Sequence, residues 1–185
     1  MLPATGMEKL VTLVVLLRGV NVGGHRTFRP KRLAEQLKQL DVVNIGAAGT
    51  FVVRKKASQT EVRRAFERQL SFKTHVVMCR GRDILDLVSN DPFSHEKKDP
   101  RIVRFVSVLA RRPRAEPEYP LVLPQGGPWL VKLIGRKGRF VLGMYRRHMK
   151  TIRYLGATDD EFRVPVTTRN WNTITTIAGV LSGRG

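Results

Sequence analysis

The stretch V-T-L-V-V-L-L-R-G-V-N-V-G-G, residues Val11–Gly24, decides the fold of this chain. Its first half, Val11–Leu17, is an unbroken run of apolar or β-branched residues, and its second half holds three glycines, an arginine and an asparagine. An apolar run of this length is typical of a central strand that is covered on both faces. The loop after it brings backbone N–H groups and polar side chains to one point. The stretch therefore predicts a buried strand that ends at a ligand site.

The segments after this loop predict a β-α-β-β-α-β order. Pro30 stands where a helix begins, because its fixed φ suits the first helical position. Two short strands follow within residues 42–54. Ser58 and Glu61 form a capping box that opens a second helix, and residues 74–79 form the last strand. This order is that of the ferredoxin-like α/β plait, so the first half predicts an α+β unit with an antiparallel sheet.

The second half predicts a further plait-like unit. A short helix over residues 82–90 completes the first half, and the polar linker S-H-E-K-K-D-P, residues 94–100, separates it from the second. After them come a strand over 103–109, a proline-rich crossing segment, a hairpin over 129–145 and a helical segment over 146–154. The final helix, capped by Thr168 or Asn170, carries a stripe that we expect to be buried: Trp171, Ile174, Ala178 and Leu181.

These segments define the expected organisation of the chain. We expect a flexible leader over residues 1–8, a first ferredoxin-like unit over 9–93 and a second unit, including the C-terminal helix, over 101–185. The predicted fold class is therefore α+β, with two packed plait units and antiparallel sheets.

The composition is that of a soluble globular protein. Of the 185 residues, 42% are hydrophobic and 26% are charged, which is ordinary for a folded domain and unlike a disordered chain. No apolar run approaches the roughly 20 residues that cross a bilayer, and the N-terminal residues lack the apolar core of a signal peptide. The single cysteine, Cys79, excludes an internal disulfide and a multi-cysteine zinc site. These features predict a cytoplasmic protein without a membrane partner, in which Cys79 is a buried core residue.

Positive charge is concentrated in the second half. The net charge is +19, and no acidic residue lies between Tyr119 and Thr158. The same window contains the nucleic-acid candidates Lys132, Arg136, Lys137, Arg139, Arg146, Arg147, Lys150 and Arg153. Two interpretations stand: a solvated face of an arginine-rich protein, or a surface for nucleic acid or another phosphate-rich partner.

The glycine loop supplies a second candidate site. It lacks the Gly-Lys-Ser/Thr of a P-loop and the spacing of the dinucleotide motif G-x-G-x-x-G. Its glycines either provide positive φ and close packing or let loop amides contact an anion. The ligand-binding candidates are Arg18, Asn21, Gly23, Gly24 and His25, together with Arg169 and Asn170 near the C-terminus.

The remaining residues exclude several reaction classes. The four histidines have no metal-ligand spacing, and His148 lies among arginines. Paired carboxylates for a glycosidase or a two-metal nuclease are lacking, because the one acidic cluster, Asp159-Asp160-Glu161, is expected in a solvated loop. The sequence therefore predicts no metal, no cofactor and no recognisable catalytic group.

Two long motifs resemble those of a bacterial family known as domain of unknown function 1697. They are L-L-R-G-V-N-V-G-G, residues Leu16–Gly24, and T-T-R-N-W-N-T, residues Thr167–Thr173. The resemblance runs from about residue 11 to residue 181 and includes the turn Asn90–Phe93. It implies a pair of ferredoxin-like units and no chemistry, since the family has no established activity.

One segment departs from the family pattern. Where the family usually has Gln-Ser-Gly-Asn, this chain has Ala47-Ala48-Gly49-Thr50. Two methyl groups and a hydroxyl replace three polar side chains. If those polar groups serve an activity of the family, this member has lost or changed it.

Three functions are open at this stage. The leading hypothesis is a binding module for a phosphate-bearing partner, nucleic acid or nucleotide, that uses the basic second half. The alternatives are an enzyme that acts on a small anionic substrate at the glycine loop, and a protein-interaction scaffold. The strands of the first unit offer only Phe51 for base stacking, which favours backbone contact over base readout. We also expect Arg18 and Arg169 to line one polar cleft between the units, because a charge after a buried strand needs a partner.

Overall fold

The computed structural model describes residues 10–20, 28–97 and 99–183. They form an α+β fold with two antiparallel sheets, which confirms the predicted fold class. The described residues contain no helix with the length and apolar character that crossing a bilayer requires. The predicted leader and most of the glycine loop, residues 21–27, lie outside the described residues.

The first sheet is built around the strand that the opening stretch predicts. Its strands are β1 (Val11–Leu17), β2 (Val42–Asn44), β3 (Thr50–Ala57) and β4 (Val76–Arg80). They lie in the order β2-β3-β1-β4, and each neighbouring pair is antiparallel. β1 is therefore central, and residues 13–17 are fully buried.

Three helices belong to this half: α1 (Pro30–Gln36), α2 (Gln59–Gln69) and α3 (Gly81–Ser89). α1 begins at Pro30, as predicted. α2 begins after Ser58, whose hydroxyl accepts a hydrogen bond from the backbone N–H of Glu61 at 3.1 Å. α1 and α2 cover the outer face of the first sheet. The strands and helices of the first half therefore follow the predicted β-α-β-β-α-β order.

The second sheet has five strands: β5 (Ile102–Leu109), β6 (Leu121–Leu123), β7 (Val131–Lys137), β8 (Phe140–Arg146) and β9 (Val166–Asn170). Its helices are α4 (Thr151–Gly156), α5 (Thr158–Phe162) and α6 (Trp171–Leu181). The strand order is β6-β7-β8-β5-β9, so β7-β8-β5-β9 repeats the order of the first sheet. The crossing segment between β5 and β7 is fully described and contains only β6, because its prolines disfavour a helix.

One apolar core joins the two halves. Side chains from the inner faces of both sheets, such as Val14 and Leu16 from β1 and Val106 from β5, belong to the same cluster. α3 and α6 contact each other and contribute residues to this cluster. The interior of the molecule is therefore shared between the two sheets.

Several local predictions were wrong. The T-T-R-N part of the C-terminal motif forms β9, because the β-branched residues Val166–Thr168 pair with β5. Arg146 ends β8 opposite Ile102, so the predicted helical segment begins only at α4. Residues 159–161 lie in α5 and not in a loop. In the predicted stripe of the last helix, Ile174 and Ala178 are buried, and Trp171 and Leu181 at its two ends are half-buried.

Candidate functional site

Arg169 connects the two end motifs of the chain. The side chain lies in β9 and is only 8% exposed. Its Nε donates to the Thr50 hydroxyl at 2.6 Å, and its Nη2 donates to the carbonyls of Leu17 at 2.9 Å and Ala48 at 2.7 Å. Its Nη1 donates to the Thr168 carbonyl at 2.8 Å. The guanidinium thus ties β9 of the second sheet to the end of β1 and to the β2–β3 turn.

The protein itself supplies the partners of this charge. No carboxylate within the described ranges pairs with Arg169, and its acceptors are neutral oxygens. Burial lowers the pKa of Arg169 to about 10, so the side chain is still charged at neutral pH. A buried charge is tolerated when its donors are hydrogen-bonded. Arg169 therefore holds the two halves together at the place where we expected a ligand.

Arg18 lies at a separate groove of about 530 Å³, which Lys73, Thr74 and His75 also line. Its backbone N–H donates to the His75 carbonyl at 3.1 Å, and the Thr74 hydroxyl donates to the Arg18 carbonyl at 2.5 Å. Arg169 donates to the carbonyl of Leu17, one residue before Arg18. The two end motifs are therefore in contact at Leu17.

The other loop candidates, Asn21, Gly23, Gly24 and His25, lie outside the described residues. The enzyme hypothesis depends on this loop and stays a prediction. Asn170 acts as the cap of α6, since its Oδ1 accepts hydrogen bonds from the backbone N–H and the hydroxyl of Thr173, both at 2.8 Å.

Seven of the eight basic candidates fall into two groups at opposite ends of the β7–β8 hairpin, which are about 20 Å apart for strands of this length. The eighth, Lys132, is half-buried in β7. At the turn, Arg136 is paired with Glu116, with 2.7 Å between Nε and Oε1. Arg139 is half-buried and donates to the Met78 carbonyl at 2.5 Å, which links β8 to the first sheet. Lys137 is exposed. Its Nζ donates to the Asp86 carbonyl at 3.5 Å. All three cations at the turn are thus engaged in contacts within the protein.

The open end of the hairpin is different. Four cations are exposed there: Arg146, Arg147, Lys150 and Arg153. Within the part of the chain that the structure describes, no acidic side chain lies within 4 Å of them. Two large apolar side chains lie among them, Met149 at 92% and Ile152 at 73% exposure. This end of the sheet combines free positive charge with exposed apolar surface.

Two adjoining cavities lie beside these cations, and together they form what we call the basic groove. The first, of about 440 Å³, lies between the start of β5 and the start of α6. The second, of about 490 Å³, lies between the start of β5, the end of β8 and residues 128–130. The cavities share Asp99, Pro100, Ile102 and Arg147. Each cavity has basic residues in its lining: the first has Lys97, Arg104 and Arg147, and the second has Arg101, Arg146, Arg147 and His148.

Three of the five lysines and arginines that line the groove were not among the candidates predicted from the sequence. Lys97, Arg101 and Arg104 lie at or before the start of β5, outside the acid-free window. They meet Arg146 because β5 and β8 are antiparallel neighbours, with Ile102 opposite Arg146. The three cations could have been identified from the sequence only by a prediction that β5 pairs with β8 in this register.

The described lining of the basic groove includes one carboxylate, that of Asp99. Arg101 holds it in a two-pronged ion pair, with 3.0 Å from Nε to Oδ1 and 2.8 Å from Nη2 to Oδ2. The adjacent Arg101 guanidinium lowers the pKa of Asp99 to about 2. The pair is therefore neutral as a whole over the physiological range, and the other cations determine the potential of the groove.

Aromatic rings accompany the cations. The half-buried Trp171 lines the first cavity and packs edge-on against Phe93, with ring centroids 5.1 Å apart. The Arg104 guanidinium carbon lies 5.8 Å from the centroid of the same Phe93 ring. The Arg146 guanidinium carbon lies 4.6 Å from the Trp129 ring. Both tryptophans of the chain thus border groove-lining arginines.

Cys79 is a core residue and is 1% exposed. Burial raises the pKa of its thiol to about 12, so the nucleophilic thiolate is not formed at neutral pH. No group of three or more His, Cys, Asp or Glu side chains lies together in residues 10–20, 28–97 and 99–183.

The model of a family described as Protein of unknown function (DUF1697) matches residues 10–128. The chain belongs to this family. The matched residues include the first end motif and the Asn90–Phe93 turn, whereas the second motif, with Arg169, lies beyond them.

A solved structure is similar over nearly the whole chain. It is that of the conserved bacterial protein SP0830 from Streptococcus pneumoniae, with a TM-score of 0.58 and 13% sequence identity over 94% of this chain and 99% of that one. At this identity the similarity concerns the fold alone. No curated protein matches the chain.

Three consecutive residues where the β2–β3 turn leads into β3, Ala48, Gly49 and Thr50, receive Arg169. The carbonyls of Ala48 and Gly49 accept from its Nη2, and the Thr50 hydroxyl accepts from its Nε. The contact uses backbone oxygens at two of these positions. It is therefore compatible with the methyl side chains that this member has at 47 and 48.

Proposed function

We propose that this chain is a cytoplasmic protein that binds nucleic acid through the basic groove, mainly by contacts with the phosphate backbone. One observation carries the proposal. Arg147 is exposed, lines both cavities of the groove and has no ion-pair partner among the described residues. Cations from the linker, from β5 and from β8 surround it. A concave surface with this charge suits a polyanion.

The physical basis is the release of counterions. Each phosphate that a Lys or Arg neutralises frees condensed cations, and the affinity then falls steeply with salt. The net charge of +19 adds long-range attraction. The carboxylate of Asp99 is compensated by Arg101, so it adds little repulsion. Such a surface binds the phosphate backbone of a nucleic acid without sequence preference, because phosphate contacts carry no sequence information.

The groove is a better candidate than the hairpin turn. Arg136 and Arg139 at the turn would have to give up protein partners before they contacted phosphate. Lys150 and Arg153 continue the charge of the groove along α4, and the exposed Met149 and Ile152 between them offer apolar contact to sugars and bases.

Fluorescence anisotropy with a labelled oligonucleotide tests this proposal. The Arg147→Glu/Lys150→Glu variant should bind more weakly, and the slope of log K against log salt should fall by about 2, since roughly one unit is lost for each phosphate-contacting cation. The matched control is Lys31→Glu/Arg32→Glu on α1, which removes the same charge from exposed positions on the opposite side of the first sheet.

We expect the control to retain the wild-type slope. If both variants weaken binding equally, net charge and not the groove is responsible. Absence of any association at low salt overturns the proposal altogether.

A further inference from the structure

We infer that the basic groove accepts unpaired nucleotides, with a base packed against Trp171 and the backbone along the arginines. This inference rests on the proposed function and specifies its substrate as single-stranded nucleic acid. It follows from the kinds of side chain that line the first cavity, the placement of cations on the sheet and the packing of α6.

The first cavity contains an aromatic ring inside a cationic wall. Trp171 lines it beside Arg104 and Arg147. Phe93 packs against the indole, with an angle of 71° between the two ring planes. Partial burial fixes the ring, and partial exposure leaves part of it open to the cavity. Surfaces that bind single strands combine a positive groove with aromatic rings of this kind.

The sheet places further cations on the same side. In antiparallel sheets, residues directly opposite each other share a face. Met144, a residue of the inner core, is opposite Arg104 on one neighbouring strand and opposite Lys132 on the other. Arg146 is opposite Ile102, which packs against the same core. Three strands therefore direct positive charge to one face, at the end where the tryptophans lie.

Duplex DNA fits this arrangement less well. In a duplex the ring faces of the bases are stacked on one another, and only their edges are accessible in the grooves. A tryptophan inside a cavity therefore gains a stacking partner only from a base that is unpaired. α6, which begins at the cavity, is held between the sheets by Ile174 and Ile177 and is not free to enter a major groove.

Side-chain amides are available for the edges of a base. Asn172 is exposed and lines the same cavity. Asn170 uses its Oδ1 to cap α6, and its Nδ2 amino group remains as a donor. Unpaired bases are recognised by aromatic rings that stack on their faces and by polar groups that form hydrogen bonds with their edges.

Tryptophan fluorescence tests the inference directly, because the chain has only two tryptophans. In a Trp129→Phe variant, Trp171 is the sole reporter. Addition of an oligothymidylate single strand should quench its emission, and a duplex of equal length should not. The single strand should also bind more tightly than the duplex at the same salt concentration.

Substitution of the ring provides the second measurement. Trp171→Leu should weaken single-strand binding about 5- to 150-fold, the range expected for loss of one base–aromatic contact. Trp171→Phe keeps a flat ring and should retain most of the affinity. Binding of the duplex should change little in either variant.

The outcomes separate the two proposals. If anisotropy shows salt-dependent binding but the emission of Trp171 does not change, the stacking inference fails and the proposed function stands. The inference also fails if the duplex binds as tightly as the single strand. If neither oligonucleotide binds, both proposals fail.

Discussion

Arg169 illustrates how one side chain links distant parts of the sequence. Its acceptors at Leu17 and Ala48 precede it by 152 and 121 residues. A planar guanidinium with several fixed N–H donors is suited to such a task, because it reaches several carbonyls at once. Since its partners are backbone oxygens, the contact places little constraint on the identity of the residues that receive it.

Replacement of Arg169 by alanine should destabilise the protein strongly. The variant leaves the buried carbonyl of Leu17 and the buried hydroxyl of Thr50 without this donor. Each buried acceptor that loses its donor costs about 1–3 kcal/mol. Urea unfolding followed by circular dichroism measures the loss. Arg64→Ala, on the exposed face of α2, is the control and should stay within about 0.5 kcal/mol of wild type. A loss below about 1 kcal/mol for Arg169→Ala would contradict the structural role.

Among the strands, β8 depends on close packing across the second sheet. Gly143 lies opposite Phe105 on β5, and the Phe105 ring covers its Cα. A Cβ built at Gly143 would come within 2.3 Å of the ring, which is fully buried. The sheet thus uses a glycine to accommodate an aromatic side chain on the neighbouring strand.

Gly143→Ala should therefore destabilise the protein by about 1–3 kcal/mol, the usual cost of overpacking a filled core. Gly135→Ala on β7 is a matched control, because a Cβ there meets no atom within 4 Å. We expect the control to be neutral or slightly stabilising, since alanine restricts the unfolded chain more than glycine does. Thermal unfolding of both variants checks this, and equal losses would show that the Phe105 contact is not responsible.

The same elements show what the sequence alone is able to predict. β1, α1 and α2 were recognisable because apolar runs, Pro30 and the Ser58 cap are local signals. β9 was not recognised, because T-T-R-N-W-N-T is rich in polar side chains and its strand conformation depends on pairing with β5. The role of Arg169 was missed for the same reason, since nothing near it in sequence indicates its acceptors.

The basic groove was predicted only in part. Arg146 and Arg147 lie in the acid-free window, and the window correctly indicated exposed charge there. Arg139 lies in the same window but is half-buried against backbone carbonyls. A one-dimensional charge pattern does not distinguish an arginine that holds two sheets together from one that faces solvent.

In the molecule as a whole, the shared core makes the two halves interdependent. The inner faces of both sheets and the helices α3 and α6 contribute to one buried cluster. Separation of the halves would expose this surface to water, at about 25 cal/mol for each Å² of apolar area. The contacts of Arg169 and Arg139 cross the same boundary. We therefore expect the two sheets to unfold together.

A substitution far from both tryptophans tests this expectation. Phe66 is fully buried on α2, in the outer core of the first sheet, whereas Trp129 and Trp171 lie in the second half. Phe66→Ala should cost about 3–5 kcal/mol, as is usual for loss of a buried phenylalanine. If unfolding is a single cooperative transition, tryptophan fluorescence and circular dichroism must report the same lowered urea midpoint. A fluorescence midpoint that stays at the wild-type value, while circular dichroism becomes biphasic, would instead mean that the second sheet and α6 remain folded without the first.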